Sequence, residues 1–217
     1  MAETHEKSEF YFIANIDNPS LKGENFGAIC KTIDVRCIMI NETAALIDNA
    51  EEAREIISQI QSQDVAVLIN TTPERAEQLN ADGVHIDLDH DVDAQVPKIH
   101  ARLGGDAIIG TDVGASRHDA MVRAEMGVDY IAFHAHNDEI LDMFAWWNEL
   151  FEIPSIAWKI TDPEFAGTCA KAGADFIAID LESLNSRLLL ADKSPVEALK
   201  PFQLAIDNIK ADLKSDA

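Results

Sequence analysis

The stretch VAVLINTTPERAEQLNADGVHID, residues 65–87, contains one complete repeat of the fold. Val65–Ile69 is a continuous apolar run of strand length. Thr72-Pro73-Glu74-Arg75 then reads as a helix start: a capping hydroxyl, a proline in the first turn, and an acid near the positive end. A helical pattern occupies Pro73–Asn80, Gly83 stands where a helix C-cap is expected, and Val84–Ile86 is the next apolar run. The same alternation extends to both ends of the chain. Strand-length runs are Phe10–Ile16, Val35–Ile40, Val65–Ile69, Val84–Ile86, Ala107–Ile109, Tyr130–Phe133, Ser155–Trp158 and Phe176–Ile179. Helical patterns lie between or after them at Glu51–Gln63, Pro73–Asn80, Val92–Leu103, Ser116–Met126, Asp138–Phe151, Asp162–Ala172 and Pro195–Leu213, with a shorter one around Asn25–Thr32. Gly127 and Gly173, like Gly83, separate a helix from the following strand.

The apolar runs are nearly unbroken, where a sheet with one wet face would alternate. That is the pattern of parallel strands covered on both faces. Eight strand–helix units predict a closed (β/α)8 barrel, the TIM-barrel architecture, as a single domain over residues 1–217, with short polar tails at about 1–9 and 213–217. The alternative, an open doubly wound sheet, fits less well, because no Gly-x-Gly-x-x-Gly turn follows the first strand.

The chain has 217 residues, 47% of them hydrophobic, enough for a substantial core. Its 17 Lys and Arg face 39 Asp and Glu, a formal charge of −22. Such a field repels phosphate backbones and anionic lipid, so neither nucleic acid nor a membrane surface is expected as partner. No apolar run reaches the length of a membrane span, and Met1–Glu9 lacks the layout of a signal peptide. Cys30, Cys37 and Cys169 are odd in number and fall in helix or strand patterns, not in a disulfide framework. A cytoplasmic location is the expectation; a homo-oligomer remains open.

Chemistry in such a barrel sits at the carboxyl ends of the strands. Those positions hold Asn70, then Asp87 with His90 and Asp91, then Asp112, His134, Lys159 and Asp180. Two clusters stand out. In His85-Ile86-Asp87-Leu88-Asp89-His90-Asp91 the i, i+2 spacing puts His85 and Asp87 on one face. In His134-Ala135-His136-Asn137-Asp138 two imidazoles share a side if the strand continues. Carboxylates beside imidazoles suit a divalent cation, zinc or manganese by residue type. The plainer alternative is a polar loop whose aspartates cap the next helix. Lys159 follows the seventh strand and offers an acid, a base or an imine-forming amine, or simply a partner for Asp180 or Asp162. The loops after strands seven and eight, Trp158-Lys159-Ile160-Thr161 and Asp180-Leu181-Glu182-Ser183, contain no glycine, which disfavours a phosphate in the usual barrel pocket.

Several blocks resemble the thiamine-phosphate synthase and thiazole tautomerase superfamily. Val67-Leu68-Ile69-Asn70 is similar to its third strand, and Ala81-Asp82-Gly83-Val84-His85-Ile86 to its "a-D-G-V-H-L" signature. Ile108-Ile109-Gly110, Ala124–Ile131, Ile153–Ala157 and Ala172–Ile179 follow in the family's order. The resemblance implies a barrel that joins an aminopyrimidine pyrophosphate to a thiazole phosphate with magnesium. Most of the family's functional motif residues differ here. Cys37-Ile38-Met39-Ile40-Asn41 replaces the strand-two pattern that holds pyrophosphate. Asn70 is kept, but the magnesium aspartates fall on Thr71 and His90, with Asp91 adjacent. The serine after "i-I-G-x" is Asp112, the glycine phosphate loop is Ala157-Trp158-Lys159-Ile160, and the tautomerase histidine lies near His134. The expected site is therefore a small-molecule pocket with Asn70 and Asp87 binding substrate, Asp112, His134, Lys159 and Asp180 catalytic, and His90 and Asp91 holding any metal. Three readings stand: an enzyme of altered chemistry, a catalytically silent binding protein, and a synthase whose ligands come from shifted positions.

Overall fold

The computed structural model describes residues 8–88, 91–134, 139–184 and 194–215. Eight strands follow one another in chain order: β1 (Glu9–Ala14), β2 (Val35–Asn41), β3 (Ala66–Asn70), β4 (Gly83–Ile86), β5 (Ile108–Asp112), β6 (Tyr130–Phe133), β7 (Ser155–Ala157) and β8 (Phe176–Asp180). Every neighbouring pair is parallel, and β8 pairs with β1, closing the barrel. The helices are α1 (Asn25–Cys30), α2 (Ala44–Asp48), α3 (Ala50–Gln61), α4 (Pro73–Leu79), α5 (Val92–Leu103), α6 (Arg117–Glu125), α7 (Glu139–Leu150), α8 (Pro163–Ala172) and α9 (Pro195–Ser215). The short α2 and a 3-10 turn at Pro19–Leu21 were not anticipated; neither is long enough to display a helical period.

Alternation along β1 shows how the two cores divide. Tyr11 and Ile13 point into the barrel with Met39, Leu68, Tyr130 and Trp158, while Phe10 and Phe12 join the layer between strands and helices. On α3 the stripe Ala53, Ile56, Ile57 and Ile60 is buried, as the spacing predicts; each isoleucine contributes about 1.5–3 kcal/mol on burial. Trp147 is core as well, with its indole N–H donating to the Ile153 carbonyl at 2.6 Å.

The amino-terminal end of the barrel is tied by a repeated device. Asp82 accepts the Val67 amide at 2.7 Å, Asp129 accepts the Ile109 amide at 2.7 Å, and Asp175 accepts the Ser155 amide at 2.7 Å. In each case the aspartate just before one strand binds the previous strand near its start.

One capping expectation fails. Asn80, at φ 54°, caps α4 in the left-handed conformation that asparagine tolerates. Gly83 instead lies inside β4, where a Cβ would overlap the Ile108 carbonyl. Gly173 does cap α8, at φ 104°. No helix among the described residues is long and apolar enough to cross a membrane. The three cysteines are free thiols.

Candidate active site

Parallel strands deliver their carboxyl ends to one rim, so Asn70, Asp87, Asp112, His134, Lys159 and Asp180 all stand at the same end of the barrel. The rim does not gather them all into one cluster. Asn70, at the tip of β3, donates from its amide to both oxygens of Asp87, at 3.0 and 3.1 Å. Asp112, at the tip of β5, completes a group with Asp87 and His85. A cavity of about 910 Å³ opens beside them, lined by Asn70, His85 and Asp87 and reaching Glu42, Thr71 and Lys98.

His85 is the centre of this group. Its side chain is 0% exposed. Nδ1 shares a hydrogen bond with the Tyr130 hydroxyl at 2.8 Å, which in turn shares one with the Tyr11 hydroxyl at 2.8 Å. The ring stacks on Trp158, centroids 4.6 Å apart and planes 8° apart. Burial, then the charges of Lys159 and Arg123, push its pKa down to about 3, so the imidazole is neutral at ordinary pH. Nε2 faces Asp112 Oδ1 across 4.0 Å, too far for a hydrogen bond, and neither buried atom has a hydrogen-bond partner. Burial raises the Asp112 carboxyl above its ordinary value and the Asp87 charge raises it further, offset in part by the Leu88 amide and by Arg123.

Arg123, Tyr130 and Trp158 belong to the site although no local motif announces them. Arg123, on α6, donates to Thr111 Oγ1 and to the Leu88 carbonyl, fixing the β4–α5 loop against β5. Burial holds the thiols protonated, Cys30 up at about 11, Cys169 at about 12 and Cys37 raised as well; the Cys37 thiol hydrogen-bonds the Tyr11 side chain.

The other candidates are drawn to local work. Asp91 is the N-cap of α5, its carboxylate accepting the Ala94 amide at 3.2 Å. Asp180 caps the helical turn at 181–184, accepting the Glu182 amide at 2.9 Å and the Ser183 hydroxyl at 3.2 Å. Glu182 then accepts the Asn15 amide and the Asn18 side chain. His134 is exposed after β6, its amide bound to the Gly114 carbonyl at 2.9 Å, and it lies outside the His85–Asp87–Asp112 group. Lys159 is half-buried with φ 56°, a left-handed backbone that glycine would adopt without strain. His90, along with Asp89, His136 and Asp138, lies outside the described residues.

The model of the family described as thiamine monophosphate synthase matches residues 27–180. The chain belongs to that family. A thiamine-phosphate synthase of Erythrobacter litoralis is 32% identical over 199 residues, covering 82% of this chain and 89% of the relative. One of Rhodospirillum centenum is 33% identical over 159 residues, 67% and 74% respectively. A solved structure titled thiamine phosphate pyrophosphorylase, from Pyrococcus furiosus, superposes with a TM-score of 0.72 at 17% identity, over 95% of this chain and 99% of that one; it shows the shared fold.

The magnesium implied by the resemblance would draw on positions 71 and 90. Position 71 offers a threonine hydroxyl, which donates to Glu42 Oε1 at 2.7 Å, so the family's carboxylate is absent there; position 90 lies outside the described residues. In the loop after β7, the Trp158 amide is bound to the Phe133 carbonyl and the Ile160 amide to the Ala178 carbonyl. Together with the Glu182 amide held by Asp180, these donors are committed to the barrel.

Proposed function

We propose that this thiamine monophosphate synthase family member is an enzyme of altered chemistry, acting at His85, Asp87 and Asp112 on a small molecule without departure of pyrophosphate. The observation that carries this reading is the pair of buried, unpartnered polar atoms, His85 Nε2 and Asp112 Oδ1, aimed at one another beside an open cavity. Leaving such atoms without partners costs about 1–3 kcal/mol each, and strain of that kind is kept where a ligand relieves it.

The two atoms receive something positive: a substrate N–H or O–H pair, or a cation. Burial makes the charged form of the Asp112 carboxyl costly, so a positive group arriving there relieves that cost. Asn70 keeps the Asp87 carboxylate aimed at the same place. Lys159 supplies the nearby positive charge felt by His85. Phosphate is served poorly, because the Trp158, Ile160 and Glu182 amides are committed and Asp180 and Glu182 add negative charge after β8.

The family's condensation loses three supports here: cations for pyrophosphate, the aspartate for magnesium, and the phosphate loop. At about 1.5–3 kcal/mol each they amount to roughly 4.5–9 kcal/mol, a rate loss of roughly three to seven powers of ten. Purified protein given the aminopyrimidine pyrophosphate, the thiazole phosphate and magnesium is expected to form no thiamine phosphate above background, and not to rescue a bacterium lacking its synthase. The second reading, a genuine synthase with shifted ligands, is favoured by the names of the relatives at 32–33% identity. It is established instead if turnover is clear and Asn70→Ala abolishes it.

A further inference from the structure

The geometry points to a site for one divalent transition-metal ion, zinc or manganese, held by His85, Asp87 and Asp112, away from the family's magnesium positions at Thr71 and His90. One ligand atom from each residue lies within 4.8 Å of the others. Acidic groups often gather without an ion; the buried imidazole separates this trio from such clusters. Its Nε2 is aimed at the carboxylates with no other partner. Zinc binds imidazole nitrogen at about 2.0–2.1 Å and carboxylate oxygen at about 2.0–2.2 Å. Two ligand atoms on a tetrahedral ion at those lengths are about 3.4 Å apart, so the 4.0 Å between Nε2 and Asp112 Oδ1 closes by a few tenths of an ångström on binding.

The surrounding contacts are those that ligands need. Tyr130 stands at Nδ1, 2.8 Å away; accepting the Nδ1 proton, it leaves the Nε2 lone pair toward the carboxylates. Asn70 fixes Asp87, and Trp158 fixes the plane of the ring. Two carboxylates and a neutral imidazole balance a dipositive charge. The nitrogen donor favours zinc over magnesium, which prefers oxygen ligands, and the two carboxylates suit manganese. Three protein ligands leave positions open toward the cavity. The inference deepens the proposed function by naming what fills the gap between its two acceptor atoms, and it rests on that reading for location alone.

The test uses the full, untagged chain, freed of metal with a chelator and dialysed. Calorimetric titration is expected to show one Zn2+ or Mn2+ per chain, at micromolar affinity or tighter and at least tenfold tighter than Mg2+. His85→Gln and Asp112→Asn should each weaken Zn2+ binding at least tenfold, and Tyr130→Phe about tenfold. Glu77→Gln, which alters an exposed acid paired with Arg102 on the outer helices, should leave it unchanged. Circular dichroism checks that each variant is folded; should His85→Gln fail, Asp112→Asn and Tyr130→Phe carry the comparison. No binding below millimolar concentration, or binding that survives Asp112→Asn, overturns the ion site. Thiamine phosphate turnover is scored separately: it overturns the proposed function and leaves the ion site standing, and absent binding without turnover does the reverse.

Discussion

Burial has opposite effects on the two ionisable groups that face each other at the mouth. The folded His85 refuses a proton until about pH 3, whereas the unfolded imidazole takes one near 6.5. Its contribution to stability is present above pH 6.5 and is lost on acidification, at a slope approaching about 1.4 kcal/mol per pH unit. Asp112 runs the other way. Its folded pKa lies above 3.8, so its contribution is complete below 3.8 and disappears as pH rises through the folded value. Urea unfolding of the metal-free protein should therefore show Asp112→Asn gaining stability over wild type more at pH 8 than at pH 4. His85→Gln should flatten the acid limb between pH 6.5 and 4. Superimposable pH curves for all three proteins would refute the assignment. Asp87 and Asp112 were legible in the sequence because each ends or follows a strand, and strand ends meet at one rim. Tyr130 and Trp158 were not, because they reach His85 only across the closed barrel. Asp91 and Asp180 carry a local job that rim position does not announce: amides two or three residues away bind their carboxylates.

Among the secondary-structure elements, the Ala-Asp and Val-Asp pairs before β4, β6 and β8 do a job that hydrophobic patterning cannot display. They resemble family signatures, and the structure gives the reason: each aspartate binds an amide of the neighbouring strand. Asp175 also accepts the Ser155 hydroxyl at 3.2 Å. Asp175→Ala should cost about 1–3 kcal/mol, lowering the melting temperature by roughly 3–10 °C, measured by differential scanning calorimetry. An unchanged melting temperature would mean that the tie contributes nothing. The strands themselves were legible to within a residue or two at most ends, since buried parallel strands leave unbroken apolar runs. Gly83 was misread because close packing between β4 and β5, rather than a helix end, demands the missing side chain. The turn at Lys159 likewise keeps a backbone suited to glycine while carrying a charged side chain, a state that costs about 1 kcal/mol.

For the molecule as a whole, the balance of −22 is a standing repulsion that the fold must overcome. Screening acts over about 10 Å at 0.1 M salt and shortens to about 3 Å at 1 M. The melting temperature at neutral pH should therefore rise between 10 mM and 500 mM potassium chloride; a fall would show that the surface ion pairs, such as Arg36 with Glu9, outweigh the repulsion. The pairing of β1 with β8 has another consequence, for synthesis on the ribosome. The Glu9 amide finds its acceptor at Asp175, and Ser8 its own at Ala174, so the first strand waits for residues made more than 160 positions later. Until β8 has left the exit tunnel, the nascent chain carries two unmated strand edges, the very surfaces on which chains stick to one another. Closure waits for the eighth strand, and the interval before it is when a chaperone would have most to do.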